Sequence, residues 1–113
     1  MERAAGPAID DILDAIAGIE QATAGKTLEQ FGSDWLLRRG GERGIEIISE
    51  ASRRIPAELK STGPEIPWRD IETIGNILRH EYHSVSSPII WDVVQADLPS
   101  LRTAIEAMSK DRS

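Results

Sequence analysis

The stretch Pro67-Trp-Arg-Asp-Ile-Glu-Thr-Ile-Gly-Asn-Ile-Leu-Arg-His-Glu-Tyr82 decides the fold, because its apolar residues recur at the three- and four-residue spacing of an α-helix. Pro67 stands at or near the first helical position, where its missing N–H is harmless. On a helical wheel of about 100° per residue, Ile71, Ile74 and Leu78 share one side. The stretch therefore predicts an amphipathic helix with one face in a core.

Three more helical segments extend outward from this stretch. The first runs roughly from Ala8 to Ala24 and ends at Gly25, since Gly is favoured just past a helix C-terminus. The second is predicted as one long helix, roughly Thr27 to Leu59, and Pro99 is expected to kink the last. No strand-like alternation with hairpin turns is apparent. The pattern predicts an all-α, up-and-down bundle of four to five helices, forming a single domain over residues 1–113.

Composition sets limits on the class of protein. A chain of 113 residues with 40% hydrophobic and 28% charged residues is an ordinary small globular domain, for which pairing with a second copy is a natural way to gain stability. The absence of cysteine excludes disulfides and thiolate metal sites. No apolar run approaches the roughly 20 residues that span a bilayer, and the start MERAAGPAIDD is not typical of a signal peptide. We therefore expect a cytoplasmic protein with no membrane partner.

Charge is distributed unevenly along the chain. The net charge of −6 argues against general nucleic-acid binding, which depends on Lys and Arg. Residues 1–34 hold two basic and seven acidic residues, whereas residues 35–79 hold eight basic and seven acidic ones. Either a local basic groove on an acidic body or a solvated helix face with ion pairs accounts for this distribution.

A polar stripe lies opposite the apolar face of the third predicted helix. Asn76, Arg79, His80 and His83 fall within an arc of about 100° on the wheel. Both histidines of the chain are therefore on one face, which is its most unusual feature. Periodicity alone leaves three interpretations: an ordinary solvated face, a metal site built on two histidines three residues apart, or a catalytic or binding surface.

Three motifs favour the catalytic or binding interpretation of the polar stripe: Pro64–Ile71, Gly75–Tyr82 and Ile90–Asp92. Together they resemble the HepT-like family of HEPN-domain proteins, the toxin partners of MntA-type nucleotidyltransferase antitoxins. Asp11–Ile16 is similar to the first helix of that family and Glu42–Ala51 to its second. The resemblance covers most of the chain and implies a HEPN-like helical fold that forms homodimers.

The resemblance also implies a chemistry. Two copies of the motif meet in one cleft of the dimer, and active family members use it as a metal-independent endoribonuclease site that needs no cofactor. Here His80 would be the acid–base group, Asn76 would orient the RNA substrate and Arg79 would stabilise charge on the phosphate. Tyr82 corresponds to the tyrosine that receives AMP from the nucleotidyltransferase, a modification (AMPylation) that silences the toxin.

Two positions depart from the family pattern. Gly75 stands where members usually carry Arg, and Ser49 stands where they usually carry Gly. Arg79 is the first candidate to supply the missing charge, with Arg43 and Arg53 of the second predicted helix as further candidates. The alternatives to a ribonuclease are therefore a HEPN binding module that partners a nucleotidyltransferase without cleaving RNA, and a structural helical dimer with no site.

Overall fold

The computed structural model describes residues 2–81 and 86–111, which form α-helices and one π-helical turn with no β-strand among them. The all-α prediction is therefore confirmed. In chain order the elements are α1 (Glu2–Thr23), α2 (Leu28–Ser33), α3 (Trp35–Arg53), α4 (Ala57–Lys60), α5 (Trp68–Glu81), α6 (Ser87–Asp92), the π-helical turn (Val93–Asp97) and α7 (Leu98–Asp111).

Helix α3 is central to the packing, because it contacts both α1 and α5 along their length. Helix α1 also packs against α7, and the short helices α2 and α6 contact each other. Helix α5 packs mainly on α3, so it lies at the edge of the bundle. The core between these helices is built from buried aliphatic side chains, the largest of which, with Phe31 and Met108, are Ile9, Ile12, Ile16, Ile48, Leu78, Ile90, Leu101 and Ile105.

The prediction of one long helix from Thr27 to Leu59 is wrong, because the chain leaves helical geometry at Asp34. Asp34 has φ −97° and ψ 102°, and its side chain accepts a hydrogen bond of 3.0 Å from the Leu37 N–H. A side-chain cap of this kind begins a new helix, which is α3. A second break precedes Pro56, after which α4 forms one short turn.

Two of the three glycines of α3 mark close approaches to other helices. A Cβ atom placed on Gly44 would lie 2.6 Å from Cδ1 of Ile19 on α1, and one on Gly41 would lie 3.2 Å from the Phe31 ring. Both distances are shorter than ordinary van der Waals contact, so glycine is what allows α3 to pack this closely. Gly25 ends α1 as predicted, with a φ of +74° that glycine adopts without strain.

The helical run from α6 to α7, in which a kink was predicted at Pro99, contains a π-helical turn. The π-helical turn Val93–Asp97 lies just before this proline, and the Leu98 N–H donates to the Val93 carbonyl. Proline has no N–H to continue the regular hydrogen-bond ladder, and π turns are a common form of local irregularity in helices.

The start of α5 is anchored to the turn that precedes it. The indole N–H of Trp68 donates to the carbonyls of Lys60 and Gly63, at 3.2 and 3.1 Å. The Lys60 ammonium also forms an ion pair with the carboxylate of Glu72 on α5. These contacts fix the N-terminal half of the helix that carries the polar stripe. None of the described helices is long and apolar enough to cross a membrane.

Candidate functional site

The polar stripe is solvent-facing over its described part. Asn76, Arg79 and His80 are all exposed in the last turns of α5, whereas Leu78 between them is 1% exposed and belongs to the core. The division of this helix into a polar and an apolar side is therefore confirmed. Because α5 lies at the edge of the bundle, the stripe remains accessible to another molecule.

Tyr82 and His83 lie outside the described residues. The tyrosine expected to receive AMP therefore remains a prediction from the resemblance. The alternative of a metal site on His80 and His83 is likewise untested.

Gly75 faces α3 and is tightly enclosed. A Cβ atom at this position would overlap both Cβ and Oγ of Ser49. The Ser49 hydroxyl is itself fixed, because it donates a 2.9 Å hydrogen bond to the backbone carbonyl of Glu72. The two departures from the family pattern are thus in direct contact, and Ser49 occupies the space that a side chain at position 75 would need.

Arg79 lies one helical turn beyond Gly75 on nearly the same side of α5. Helical side chains lean toward the N-terminus of their helix, so a residue covers surface over the preceding turn. Gly75 is nevertheless buried against α3, whereas Arg79 is exposed, so Arg79 does not take the place of an arginine at position 75.

A groove of about 440 Å³ opens between α3 and the C-terminal part of α5. It is lined by three arginines, two glutamates and two apolar residues: Arg39, Arg43, Arg79, Glu42, Glu46, Trp35 and Leu78.

Of the other two candidate arginines, Arg43 lines the groove and Arg53 does not. Arg43 lines it together with Arg79, and its side chain is 70% exposed. Arg53 does not line it, and its Nη2 donates a 2.6 Å hydrogen bond to the Glu72 carbonyl. Arg43 is therefore the candidate from α3 that can contact a bound anion together with Arg79.

Charged residues lie at both ends of helix α5. Arg69 and Asp70 lie in its first turn, and Arg79 and His80 lie in its last. Burial, together with the negative charges of Asp92 and Asp70, raises the pKa of the Asp97 carboxyl above its usual range.

Trp35 and Arg39 were not singled out from the sequence, although they line the same groove as Arg79. The available signal was the spacing of Trp35, Arg39 and Arg43, which places them on one face of a helix at intervals of four residues. That spacing was already present in the predicted helix from Thr27 to Leu59, but it does not indicate that this face borders Arg79 of α5.

Comparison with known proteins agrees with the fold and the motifs. The family model described as "Ribonuclease HepT-like" matches residues 12–108. The chain is 36% identical to "Probable ribonuclease HepT" of Thermococcus cleftensis, over 97% of this chain and 100% of that protein. It is 30% identical to a "Putative RNase" of Caldanaerobacter subterraneus, over 94% and 96% of the two chains. No solved structure matches the chain significantly. The chain belongs to the HepT-like ribonuclease family.

Proposed function

We propose that this protein is an endoribonuclease that acts as the toxin of a toxin–antitoxin system in the cytoplasm. The observation that carries the proposal is the juxtaposition of two elements at the C-terminal end of α5. His80 is exposed there, and the neighbouring Arg79 lines a groove that also contains Arg43. An imidazole next to guanidinium groups is the combination that phosphodiester cleavage without a metal requires. The names of the relatives point to the same reaction class.

In the proposed reaction, the ribose 2′-oxygen forms a bond to the adjacent phosphorus and the bond from phosphorus to the 5′-oxygen breaks. The products are a 2′,3′-cyclic phosphate and a free 5′-hydroxyl. One imidazole accepts the proton of the 2′-OH and another acid delivers a proton to the leaving oxygen. In a homodimer the His80 side chains of the two copies supply both groups, and each returns to its starting state after proton exchange with water.

The remaining stripe residues act on the same phosphate. Arg79 stabilises the negative charge that grows on the non-bridging oxygens in the transition state. Asn76 lies one turn before His80 on the exposed face of α5, where its amide group hydrogen-bonds and orients the ribose or phosphate. Neither role needs a cofactor or a metal ion.

Control of the toxin is proposed to act at the next turn of the chain. A nucleotidyltransferase antitoxin of the MntA type transfers AMP to Tyr82, which follows His80 by two residues. A bulky anionic group at that position repels the RNA phosphate and blocks access to the cleft. Support for this step comes from the family resemblance around His80 and Tyr82.

The proposal is tested by expressing the chain alone and assaying the purified protein on RNA. We expect growth arrest and RNA cleavage that EDTA does not abolish. His80→Ala should lower the cleavage rate by about 10²- to 10⁴-fold, because general acid–base catalysis contributes that much. Arg79→Ala should lower it by about 10²-fold, whereas Arg69→Ala, which removes an exposed arginine from the first turn of α5, should have little effect.

Two outcomes would contradict this assignment. Strict dependence of cleavage on an added metal would exclude the proposed mechanism. If the wild-type chain and His80→Ala are equally harmless while Tyr82 is still AMPylated, the protein is instead a binding module for the nucleotidyltransferase.

A further inference from the structure

The groove between α3 and α5 contains an aromatic side chain that the cleavage chemistry does not use. Trp35 begins α3 and is 63% exposed, which is unusual for the largest apolar side chain. The guanidinium carbon of Arg39 lies 5.8 Å from the centroid of its ring. That distance is within the range of a cation–π contact, which holds the indole in a defined orientation.

The charges around Trp35 are arranged in two layers. The carboxylates of Glu42 and Glu46 lie deep, with side chains 7% and 20% exposed. The arginines paired with them lie further out: Arg39 is 31% exposed and bonds Glu42 at 2.6 Å, and Arg43 is 70% exposed and bonds Glu46 at 3.2 Å. An anion that approaches from solvent therefore meets guanidinium groups first, and the glutamates hold those groups in place.

The opposite wall of the groove completes this arrangement. Arg79 contributes a guanidinium from α5, and none of the ion pairs among the described residues includes it. The groove thus combines cations on both walls with an exposed aromatic ring, on a protein whose net charge is −6. Cationic grooves with aromatic platforms are the form in which proteins bind single-stranded nucleic acid.

We infer that this groove binds the single-stranded part of the RNA, with one base stacked on Trp35 and neighbouring phosphates held by Arg43 and Arg79. This inference rests on the proposed function, and it specifies the substrate as unpaired RNA. A base inside a duplex is already stacked and cannot lie on Trp35. Because His80 follows Arg79 directly, a strand held in this way passes from the groove onto the exposed stripe. Trp35 and Arg43 are positioning residues in this arrangement.

The inference is tested by measuring the affinity of the His80→Ala protein for fluorescein-labelled oligouridylate by fluorescence anisotropy, so that binding is observed without cleavage. Trp35→Ala should weaken binding about 5- to 10-fold, the lower part of the range for loss of one stacked base. Trp35→Phe should retain most of the affinity, because phenylalanine still provides a stacking face. Leu36→Ala is the matched control, since Leu36 is the adjacent residue and is 73% exposed but does not line the groove.

Salt dependence gives a second measurement. Arg43→Ala should weaken binding and lower the slope of log affinity against log salt concentration by about one, as expected for loss of one phosphate contact. A complementary RNA duplex should bind more weakly than the single strand, and Trp35→Ala should change its affinity little.

The inference is overturned if Trp35→Ala and Leu36→Ala bind the oligouridylate equally well. It is also overturned if Trp35→Ala converts a dimer to a monomer with RNA affinity unchanged, since the indole would then contact a second copy. Cleavage by the parent protein tests the proposed function separately. RNA binding that depends on Trp35 but is accompanied by no cleavage would reject the ribonuclease activity and support RNA binding by the groove. Cleavage that Trp35→Ala does not affect would support the ribonuclease activity and reject RNA binding by the groove.

Discussion

The two ends of the contact between α3 and α5 differ in what their polar groups do. At one end Ser49 lies against Gly75, and both Ser49 and Arg53 donate hydrogen bonds to the Glu72 carbonyl, so the polar groups are used within the protein. At the other end the helices leave a groove, into which Arg43 and Arg79 project from opposite walls. One helix pair thus provides a closed structural contact and an open groove.

This difference shows that exposure alone does not identify a binding residue. Arg43 and Arg53 both belong to α3 and both are exposed. Arg53 is held by a backbone carbonyl of α5, whereas Arg43 is paired with Glu46 of its own helix and lines the groove. The partner atom of each arginine distinguishes an arginine that joins two helices from one that lies at the groove.

The largest effect on stability is expected from adding a side chain at the closed end. Gly75→Arg should lower the free energy of unfolding by about 1–3 kcal/mol, because overpacking against Ser49 outweighs the roughly 1 kcal/mol gained by removing a helical glycine. Urea denaturation measures this change. The matched control is Gly40→Arg in α3, where the space around the Cβ position is open, and this change should be neutral or slightly stabilising.

A second substitution shows whether Ser49 is the cause. Ser49→Gly combined with Gly75→Arg should cost less than the sum of the two single changes, since the glycine vacates the space that the new side chain enters. Strictly additive changes, or a Gly75→Arg protein as stable as wild type, would contradict the closed contact described for these two residues.

At the open end, Arg39 also contributes to stability, because it pairs with the buried carboxylate of Glu42. Arg39→Ala leaves the Glu42 carboxylate, 7% exposed, without its 2.6 Å partner, and should lower the free energy of unfolding by about 1–2 kcal/mol. Arg43→Ala removes a partner that is 70% exposed and should change stability by less than about 0.5 kcal/mol. If urea denaturation shows the same loss of stability for Arg39→Ala and Arg43→Ala, the burial of Glu42 does not distinguish the two ion pairs.

The smallest expected change separates the two exposed arginines of α3. Arg53→Ala should lower the free energy of unfolding by about 1 kcal/mol, the net value of a hydrogen bond, and leave RNA affinity unchanged. Arg43→Ala should leave the free energy of unfolding nearly unchanged and weaken RNA binding. Denaturation and RNA-binding measurements on the same two proteins test this, and a loss of RNA affinity in Arg53→Ala would remove the distinction between the two ends.

The sequence was sufficient to predict the helical class and the exposed face of α5, because apolar spacing reports directly on which side of a helix is buried. It could not predict that Gly75 faces Ser49, since no local rule relates two residues on different helices. The groove was missed for the same reason. Trp35, Arg39 and Arg43 already shared one face of the predicted helix from Thr27 to Leu59, but local spacing does not indicate that this face borders Arg79 of α5.

The most direct test of the open end as the RNA site is a titration of the ¹⁵N-labelled His80→Ala protein with oligouridylate, followed through the indole N–H signals in a ¹H–¹⁵N correlation spectrum. Trp35 should shift strongly as RNA is added. Trp68 should stay in place, because its indole N–H is bonded to the carbonyls of Lys60 and Gly63 at the start of α5. RNA binding that leaves the Trp35 signal unchanged would contradict the account.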